Sequence, residues 1–465
     1  MARPATRDLT EGPISGHFRA LALPAALGML FSTLYNVVDI FYAGMLSTDA
    51  QAGLALGFQV FYVFLSIGFG ISAAMGALVG QALGQKDARL ARRLAGQGIS
   101  FSILATVVLF GVGLWAGPAL IAFLSEPGTN YREAANGYLG WLLLALPGFL
   151  IGNTCNGILQ SQGDTKSMQQ AMMVAFFANI GLNPLLMFGI PGLWDGMGFN
   201  GIAAATVISQ TGVLLWLARQ VLSTDVLSET RPRHLIPRAE GYRSIAMQSV
   251  PTTCALLIMF LSGFVVQYAL KGFGEHAIAG FGVGIRIEQI LLLPVLGMTF
   301  SLMPILSQNI GAKNYDRARE ALFFCWKIGF LITILAAVIL WTFGRLILSI
   351  FTDDPEVIRV GLYYLRIDSV ILPFYMMLFS INSLLQALKR PAWTVFIGLY
   401  RQGFGIAFFA WIFVGVLGFN EAGVWFGTVC SVVSGWVLAM VIAQRVAKQD
   451  IGGLFIGLAV KDVTP

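Results

Sequence analysis

Long apolar stretches separated by short polar loops fill the chain from about residue 20 onward. Twelve of them are about 20 residues or longer, the length that a helix needs to cross the hydrocarbon core of a bilayer. Their approximate limits are 20–46, 51–80, 94–122, 133–160, 166–190, 198–223, 243–270, 277–309, 318–349, 358–386, 390–416 and 421–446. None shows the alternation of a membrane β-barrel strand. The pattern therefore predicts an all-α integral membrane protein with twelve transmembrane helices.

The two halves of the chain repeat one another at offsets of 222 to 227 residues. Matching pairs are Pro24 with Pro251, Gln81 with Gln308, Lys86 with Lys313, Arg92 with Arg319, Tyr138 with Tyr364, Asn156 with Asn382, and Thr206 with Thr428. Each half holds six spans, so both halves have the same topology. We expect two six-helix lobes related by a pseudo-twofold axis along the membrane normal. Residues 1–222 would form the N-terminal lobe, 223–242 a polar cytoplasmic linker, and 243–465 the C-terminal lobe.

Composition and charge agree with a membrane protein. The chain is 57% hydrophobic and 11% charged, whereas a soluble domain carries about 25% charged residues. Its net charge of +6 does not indicate a nucleic-acid partner, because the basic residues cluster in alternate loops. Those residues are Lys86, Arg89, Arg92, Arg93, Arg231, Arg233, Arg238, Lys313, Arg317, Arg319, Lys389 and Arg390. The positive-inside rule then predicts that both termini lie in the cytoplasm. We expect the protein to be a monomer in the bacterial inner membrane.

Several classes of site are excluded by the motifs. The four cysteines lie inside apolar spans with no CxxC or Cys/His metal spacing, so we predict no metal centre. The chain has no GxSxG, HExxH or GxxxxGK[ST] motif, so we expect no catalytic residues, no enzyme activity and no organic cofactor. Without a nucleotide site, transport would be driven by a gradient of H⁺ or Na⁺.

One acid stands inside the first apolar span. A carboxylate at the middle of a bilayer costs at least about 2.5–3.5 kcal/mol, so Asp39 is expected to have a function. The equivalent position in the second half is Val266. Polar residues in spans one, five and six could surround the acid, because Asn36 shares its helix face and the two asparagines of span five are four residues apart. The predicted ion-coupling residues are Asp39, Asn36, Asn179, Asn183 and Thr206.

The second half contains an acid in span eight, Glu288. Two interpretations stay open: Glu288 is a second coupling acid, or it forms a buried ion pair with Arg286. Asp368, Arg366 and Arg401 are expected to form ion pairs at the membrane interface. Residues that could line a substrate cavity are Tyr35, Met173, Gln210, Gln267 and Tyr375.

Four short motifs resemble those of the multidrug and toxic compound extrusion (MATE) family, in the family's order and spans. They are Asn36-Val-Val-Asp39-x4-Gly44, Gly84-Gln-Lys-Asp-Ala88, Leu159-Gln-Ser-Gln-Gly-Asp164 and Thr206-Val-Ile-Ser-Gln210. The pattern is most similar to the DinF-like branch, whose key acid lies where Asp39 does. The resemblance implies export of lipophilic organic cations in exchange for protons, or less readily sodium, by alternating access of two lobes.

An alternative within the same wider superfamily is a flippase for lipid-linked precursors. Such exporters carry several basic residues in a central cavity to hold pyrophosphate. In this sequence the mid-membrane bases are few, chiefly Arg286 and Arg401, which favours the drug exporter.

Overall fold

The structure, a computed structural model, describes residues 7–228 and 234–455. These residues form long helices and one short hairpin. The first part contains α1 (Ile14–Leu46), α2 (Thr48–Gly84), α3 (Ala88–Leu124), α4 (Asn130–Leu144), α5 (Leu146–Ser161), α6 (Lys166–Phe188), β1 (Gly189–Ile190), β2 (Trp194–Asp195), α7 (Phe199–Ser223) and α8 (Asp225–Ser228). The second contains α9 (Ala239–Leu270), α10 (Glu275–Gly311), α11 (Tyr315–Leu348), α12 (Pro355–Ser369), α13 (Leu372–Ala387), α14 (Ala392–Gly398), α15 (Ile406–Ala410) and α16 (Ala422–Ile451). Arg231 and Arg233, assigned to a basic loop above, lie outside the described residues.

The twelve predicted spans are confirmed. Within the described ranges, ten helical stretches are long and apolar enough to cross a membrane, and two bent helix pairs supply the remaining spans. The bends are 47° between α4 and α5 and 55° between α12 and α13. Pro147 and Pro373 stand in the first turns of α5 and α13, where a residue without an N–H group interrupts the helical hydrogen bonds. The span that follows α13 includes two π-helical segments, Leu399–Gly405 and Trp411–Val416.

The chain divides into two compact units. The first unit comprises Leu27–Thr253 with the described residues before Leu9, and the second comprises Leu9–Ala26 with the described residues from Cys254 onward. The chain therefore changes unit inside α1, just after Pro24, and inside α9, just after Pro251. The lobe limits predicted from the sequence contain no such exchange. A proline inside a helix weakens it locally, so both crossings occur where a helix bends most readily.

Four helix ends repeat one hydrogen-bond pattern. After α2, Lys86 N–H donates to the Leu83 carbonyl and Asp87 N–H to the Ala82 carbonyl, at 2.9 and 3.0 Å. The same pair of bonds, which defines a Schellman motif, follows α5, α10 and α13. The residues in the left-handed conformation are Lys86, Gly163, Lys313 and Lys389, with φ of 57°, 79°, 61° and 59°. The internal duplication read from the sequence thus extends to the backbone conformation of single residues.

Two arginines at equivalent positions hold the chain after the last helix of each half. Arg92 Nε donates to the Val226 carbonyl at 3.2 Å, and Arg319 Nε donates to the Gly453 carbonyl at 2.7 Å. A guanidinium at a helix C-terminus satisfies carbonyl groups that have no helical partner and interacts favourably with the helix dipole. Each bond ties the first turns of α3 or α11 to the chain that follows α7 or α16.

Replacing Lys86 with glycine is expected to stabilise the protein. A left-handed backbone costs an L-residue about 1–2 kcal/mol, whereas the freedom that glycine adds to the unfolded chain costs about 0.4–1 kcal/mol. The net gain should be about 0.5–1 kcal/mol, measured by thermal unfolding in detergent. Lys327→Gly, at an exposed position inside α11, is the control and should destabilise by about 1 kcal/mol. A lower melting temperature for Lys86→Gly would rule out strain at this turn.

Candidate functional site

Asp39 lies near the end of α1 and is 3% exposed. Its carboxylate accepts one hydrogen bond at each oxygen: Asn183 Nδ2 donates to Oδ1 at 2.9 Å, and Thr206 Oγ1 approaches Oδ2 at 3.2 Å. Asn183 is on α6 and Thr206 on α7, so three helices of the first unit meet at this acid. Such bonds offset part of the cost of burying a carboxylate.

The two asparagines of α6 act together. Asn183 follows Asn179 by one helical turn, and both side chains are fully buried. The Asn183 amide nitrogen donates to Asn179 Oδ1 at 3.0 Å as well as to Asp39. A single NH₂ group therefore lies between two oxygen atoms and uses both of its hydrogens.

Several buried polar atoms beside Asp39 have no hydrogen-bond partner among the described residues. They are the Tyr35 hydroxyl, Asn179 Nδ2, Asn183 Oδ1 and the Ser209 hydroxyl. The Tyr35 hydroxyl lies close to Asn179, Thr206 and Ser209 without a bond of normal geometry. Most buried polar groups in proteins are paired. These unpaired atoms are therefore donors and acceptors that can form new hydrogen bonds when the acid changes its charge.

A second side-chain bond joins α1 to α6. Pro184 has no N–H group, so the Ile180 carbonyl loses its helical partner. Tyr42, one turn after Asp39 on α1, donates its hydroxyl to that carbonyl at 3.1 Å. Sequence reasoning could foresee a free carbonyl near Pro184 but not which residue would bind it.

The acid borders a cavity of about 90 Å³ in the first unit. The polar lining is Ser32, Asn36, Asp39, Asn153, Thr206 and Gln210, and the apolar lining includes Phe58, Leu65, Phe69, Leu142, Phe149, Met168, Met172, Val213 and Leu217, with Tyr35 and Tyr138 between them. This volume holds about three water molecules. Drug-sized ligands occupy pockets of roughly 300–1,000 Å³, so the cavity would have to widen to admit one.

The structure brings together most of the residues predicted around Asp39. Asn179, Asn183 and Thr206 surround the carboxylate, and Tyr35 and Gln210 line the cavity. Asn36 also lines it, but its amide donates to the Ser32 carbonyl of its own helix at 2.9 Å.

Other predicted cavity residues lie elsewhere. Met173 is not part of the lining. Met168 and Met172 of the same helix, which are four residues apart and share one face of α6, line the cavity instead. Gln267 and Tyr375 belong to the second unit. Tyr138 and Asn153 also line the cavity, and the sequence analysis missed both. Tyr138 could have been found, because it recurs as Tyr364 at the equivalent position of the second half.

In the second unit, the structure does not pair Glu288 with Arg286. Glu288 is 8% exposed and accepts a hydrogen bond from the Tyr364 hydroxyl, whereas Arg286 is exposed. Residues two apart on a helix point in different directions, which explains the separation. The expected ion pair of Asp368 with Arg366 is also absent among the described residues, since Asp368 is 2% exposed and neither of its carboxyl oxygens has a hydrogen-bond partner there. The Arg366 guanidinium lies over the Trp341 ring, 5.4 Å from its centre.

Known proteins resemble this chain in sequence and in fold. A FAD transporter of Shewanella oneidensis is 26% identical over 400 residues, which cover 84% of this chain and 86% of that protein. A probable multidrug resistance protein, NorM, of Thermotoga maritima is 24% identical over 89% of this chain and 88% of its own length.

A solved structure of a multidrug resistance MATE family transporter in an outward-facing conformation superimposes with a TM-score of 0.87 at 23% identity, over 96% of this chain and 99% of that one. A MOP superfamily transporter from Pyrococcus furiosus gives a TM-score of 0.88 at 22% identity, over 96% and 99%. The fold is therefore the twelve-helix, two-lobe fold that the sequence predicted. The MatE family model matches residues 24–185 and 251–411, about the same part of each half. With most of its length matched by this model, the chain belongs to the MATE family, which consists of membrane transporters and not of enzymes.

Proposed function

We propose that this protein is a multidrug efflux antiporter, which exports lipophilic organic cations in exchange for protons by alternating access. The relatives named as multidrug resistance proteins support the substrate class. The observation that carries the proposal is the buried Asp39 carboxylate at the edge of a cavity with polar and aromatic walls. We further propose the bacterial inner membrane as its location, with both termini cytoplasmic and the monomer as the working unit.

Asp39 has surroundings suited to both of its charge states. In the ionised state it accepts hydrogen bonds from Asn183 and Thr206. A protonated carboxyl needs an acceptor instead, and the unpartnered Asn183 Oδ1 becomes available if that amide rotates. Uptake of a proton would thus turn one amide group and remove the negative charge that attracts an organic cation. The cation would then be released.

The same geometry favours a proton over sodium. A sodium ion would need several oxygen ligands around it, and Asp39 Oδ1 and Asn179 Oδ1 would have to be among them. The Asn183 NH₂ group already lies between them, at 2.9 and 3.0 Å. A proton on the carboxyl group requires only that the Asn183 amide turn over, whereas a sodium ion between the two oxygens would have to push the whole amide group out of its place.

Helix α1 can transmit the change of charge. Side-chain bonds from Asp39 and Tyr42 attach the end of α1 to α6 and α7. Protonation of Asp39 weakens one of these attachments, and Pro24 gives α1 a place to bend.

A flavin nucleotide is the second substrate class to test, because one relative is named a FAD transporter. Its phosphate groups are negative, so the acidic cavity of the first unit favours a cation. The lipid-precursor flippase is less favoured, since the described lining of this cavity contains no basic residue. Efflux of a tetraphenylphosphonium-type cation, of FAD and of a lipid pyrophosphate in the same vesicles separates the three.

Asp39→Asn should reduce proton-driven efflux to the level of vesicles without protein, because an amide cannot exchange a proton. The measurement is uptake of an organic cation into inverted vesicles, with a pH gradient or a sodium gradient imposed alone. Asp49→Asn, which changes an exposed acid at the start of α2, is the matched control and should transport normally. Wild-type rates in Asp39→Asn, or efflux driven by sodium alone, would refute the mechanism.

Tyr42→Phe should loosen α1 while leaving Asp39 intact. Loss of one interhelical hydrogen bond in a membrane protein costs about 0.6–2 kcal/mol, so the detached state of α1 should become roughly 3- to 30-fold more populated. Faster hydrogen–deuterium exchange at the end of α1 would report this. Thr33→Ala removes a hydroxyl that bonds only to its own helix, at the Met29 carbonyl, and should leave exchange unchanged. Equal exchange in the two variants would contradict the role of Tyr42.

A further inference from the structure

Three lysines stand in a backbone conformation that lysine rarely adopts. Lys86, Lys313 and Lys389 have φ of 57°, 61° and 59°, and they are the only residues other than glycine with a positive φ in the described parts of the chain. The whole chain contains only eight lysines. The left-handed conformation is disfavoured for residues with a Cβ atom, and glycine, asparagine and aspartate are its usual occupants. The recurrence of lysine therefore needs a reason in its side chain.

The fourth equivalent turn shows that the fold does not require lysine. Gly163 follows α5 with the same pair of Schellman bonds and a φ of 79°. Glycine thus fits this turn and avoids the strain that the three lysines bear. Strain that is retained where a relaxed residue would fit points to a functional position.

Each of the three lysines lies at the end of a membrane span. The helices before them are α2, α10 and α13, which end at Gly84, Gly311 and Ala387, two residues before each lysine. The three lysine side chains are exposed. A side chain just beyond the end of a span reaches the layer of lipid headgroups, which borders the hydrocarbon core. The lysines are therefore placed at a membrane surface.

The ammonium groups of these lysines are not used inside the protein. They make no hydrogen bond or ion pair within the described ranges. The acids beside them bind other groups, because Asp87 caps α3, Asp316 pairs with Arg319, and Asp450 pairs with Arg390. The last carbonyl groups of the three helices already accept backbone N–H groups in the Schellman turns. Three positive charges are thus left for a partner outside the chain.

We propose that Lys86, Lys313 and Lys389 bind the phosphate groups of anionic phospholipids. An ammonium group has three N–H donors and no acceptor, so phosphate oxygens suit it. Attraction of a basic residue to an anionic membrane surface strengthens binding about fivefold per residue. The first unit has one such contact point and the second unit has two. The binding requires only that the spans end at a membrane surface, so it is independent of Asp39.

Native mass spectrometry of the full-length protein in detergent, titrated with phosphatidylglycerol, tests this assignment. Lys86→Gly/Lys313→Gly/Lys389→Gly should weaken phosphatidylglycerol binding about fivefold at each of three sites. Binding of phosphatidylcholine, whose headgroup carries its own positive charge, should not change. The triple arginine variant at the same positions keeps the charge and should bind as the wild type does.

The matched control removes the same charge from lysines with an ordinary backbone. It is Lys166→Gln/Lys271→Gln/Lys448→Gln, at three exposed positions without a positive φ. Because these residues do not occupy left-handed turns, the control should retain the wild-type affinity for phosphatidylglycerol.

Thermal unfolding of the same variants separates binding from a structural role. Relief of strain should raise the melting temperature of the triple glycine variant while its lipid binding falls, so the two measurements move in opposite directions. A triple asparagine variant, neutral and tolerant of the left-handed backbone, should lose the same binding and serves if the glycine variant does not fold.

Three results would overturn the proposal. The control could lose as much phosphatidylglycerol binding as the glycine variant, which would show a general attraction of positive charge. Phosphatidylcholine binding could fall equally, or soluble glycerol phosphate at the same concentration could displace the lipid, which would indicate a site for free phosphate. None of these measurements involves transport, which Asp39→Asn tests, so this proposal and the proposed function can fail separately.

Discussion

The scarcity of water inside the helical bundle governs this structure. Backbone polar groups at membrane depth must find their partners within the protein, a buried carboxylate is costly unless it is hydrogen-bonded, and Asp39 shows what these two constraints require. Its carboxylate draws donors from α6 and α7 toward α1. The Pro184 ring frees a carbonyl that Tyr42 then binds. The packing of α1 in the first unit thus follows from where hydrogen bonds can be made.

The sequence predicted the fold and the main members of the first site for definite physical reasons. Span length gave the helices, and the cost of a buried acid singled out Asp39. Helical spacing placed Asn179 and Asn183 on one face. The pairings were harder to foresee, because they depend on how helices rotate against each other. That rotation put Met172 in the cavity instead of Met173, and Glu288 against Tyr364 instead of Arg286.

The duplicated backbone carries chemistry that differs between the repeats. The four Schellman turns and the arginines at positions 92 and 319 keep the same geometry in both units. The buried acids do not, since Asp39 corresponds to Val266 and Glu288 to Phe61. The helix ends are constrained by backbone geometry, whereas an interior position can change its side chain once the helix is in place. The two units therefore have the same backbone framework, but their buried acids stand at different positions of the repeat.

The crossing of the chain between units inside α1 and α9 has a consequence for biosynthesis. When the ribosome has completed the first six spans, the unit that they belong to still lacks the part of α9 that ends at Thr253. The first part of α1, Leu9–Ala26, has already been made and awaits a unit whose other residues begin at Cys254. The first unit therefore has all of its residues only once the seventh span has been made, so it can finish assembling only when synthesis of the second half has already begun.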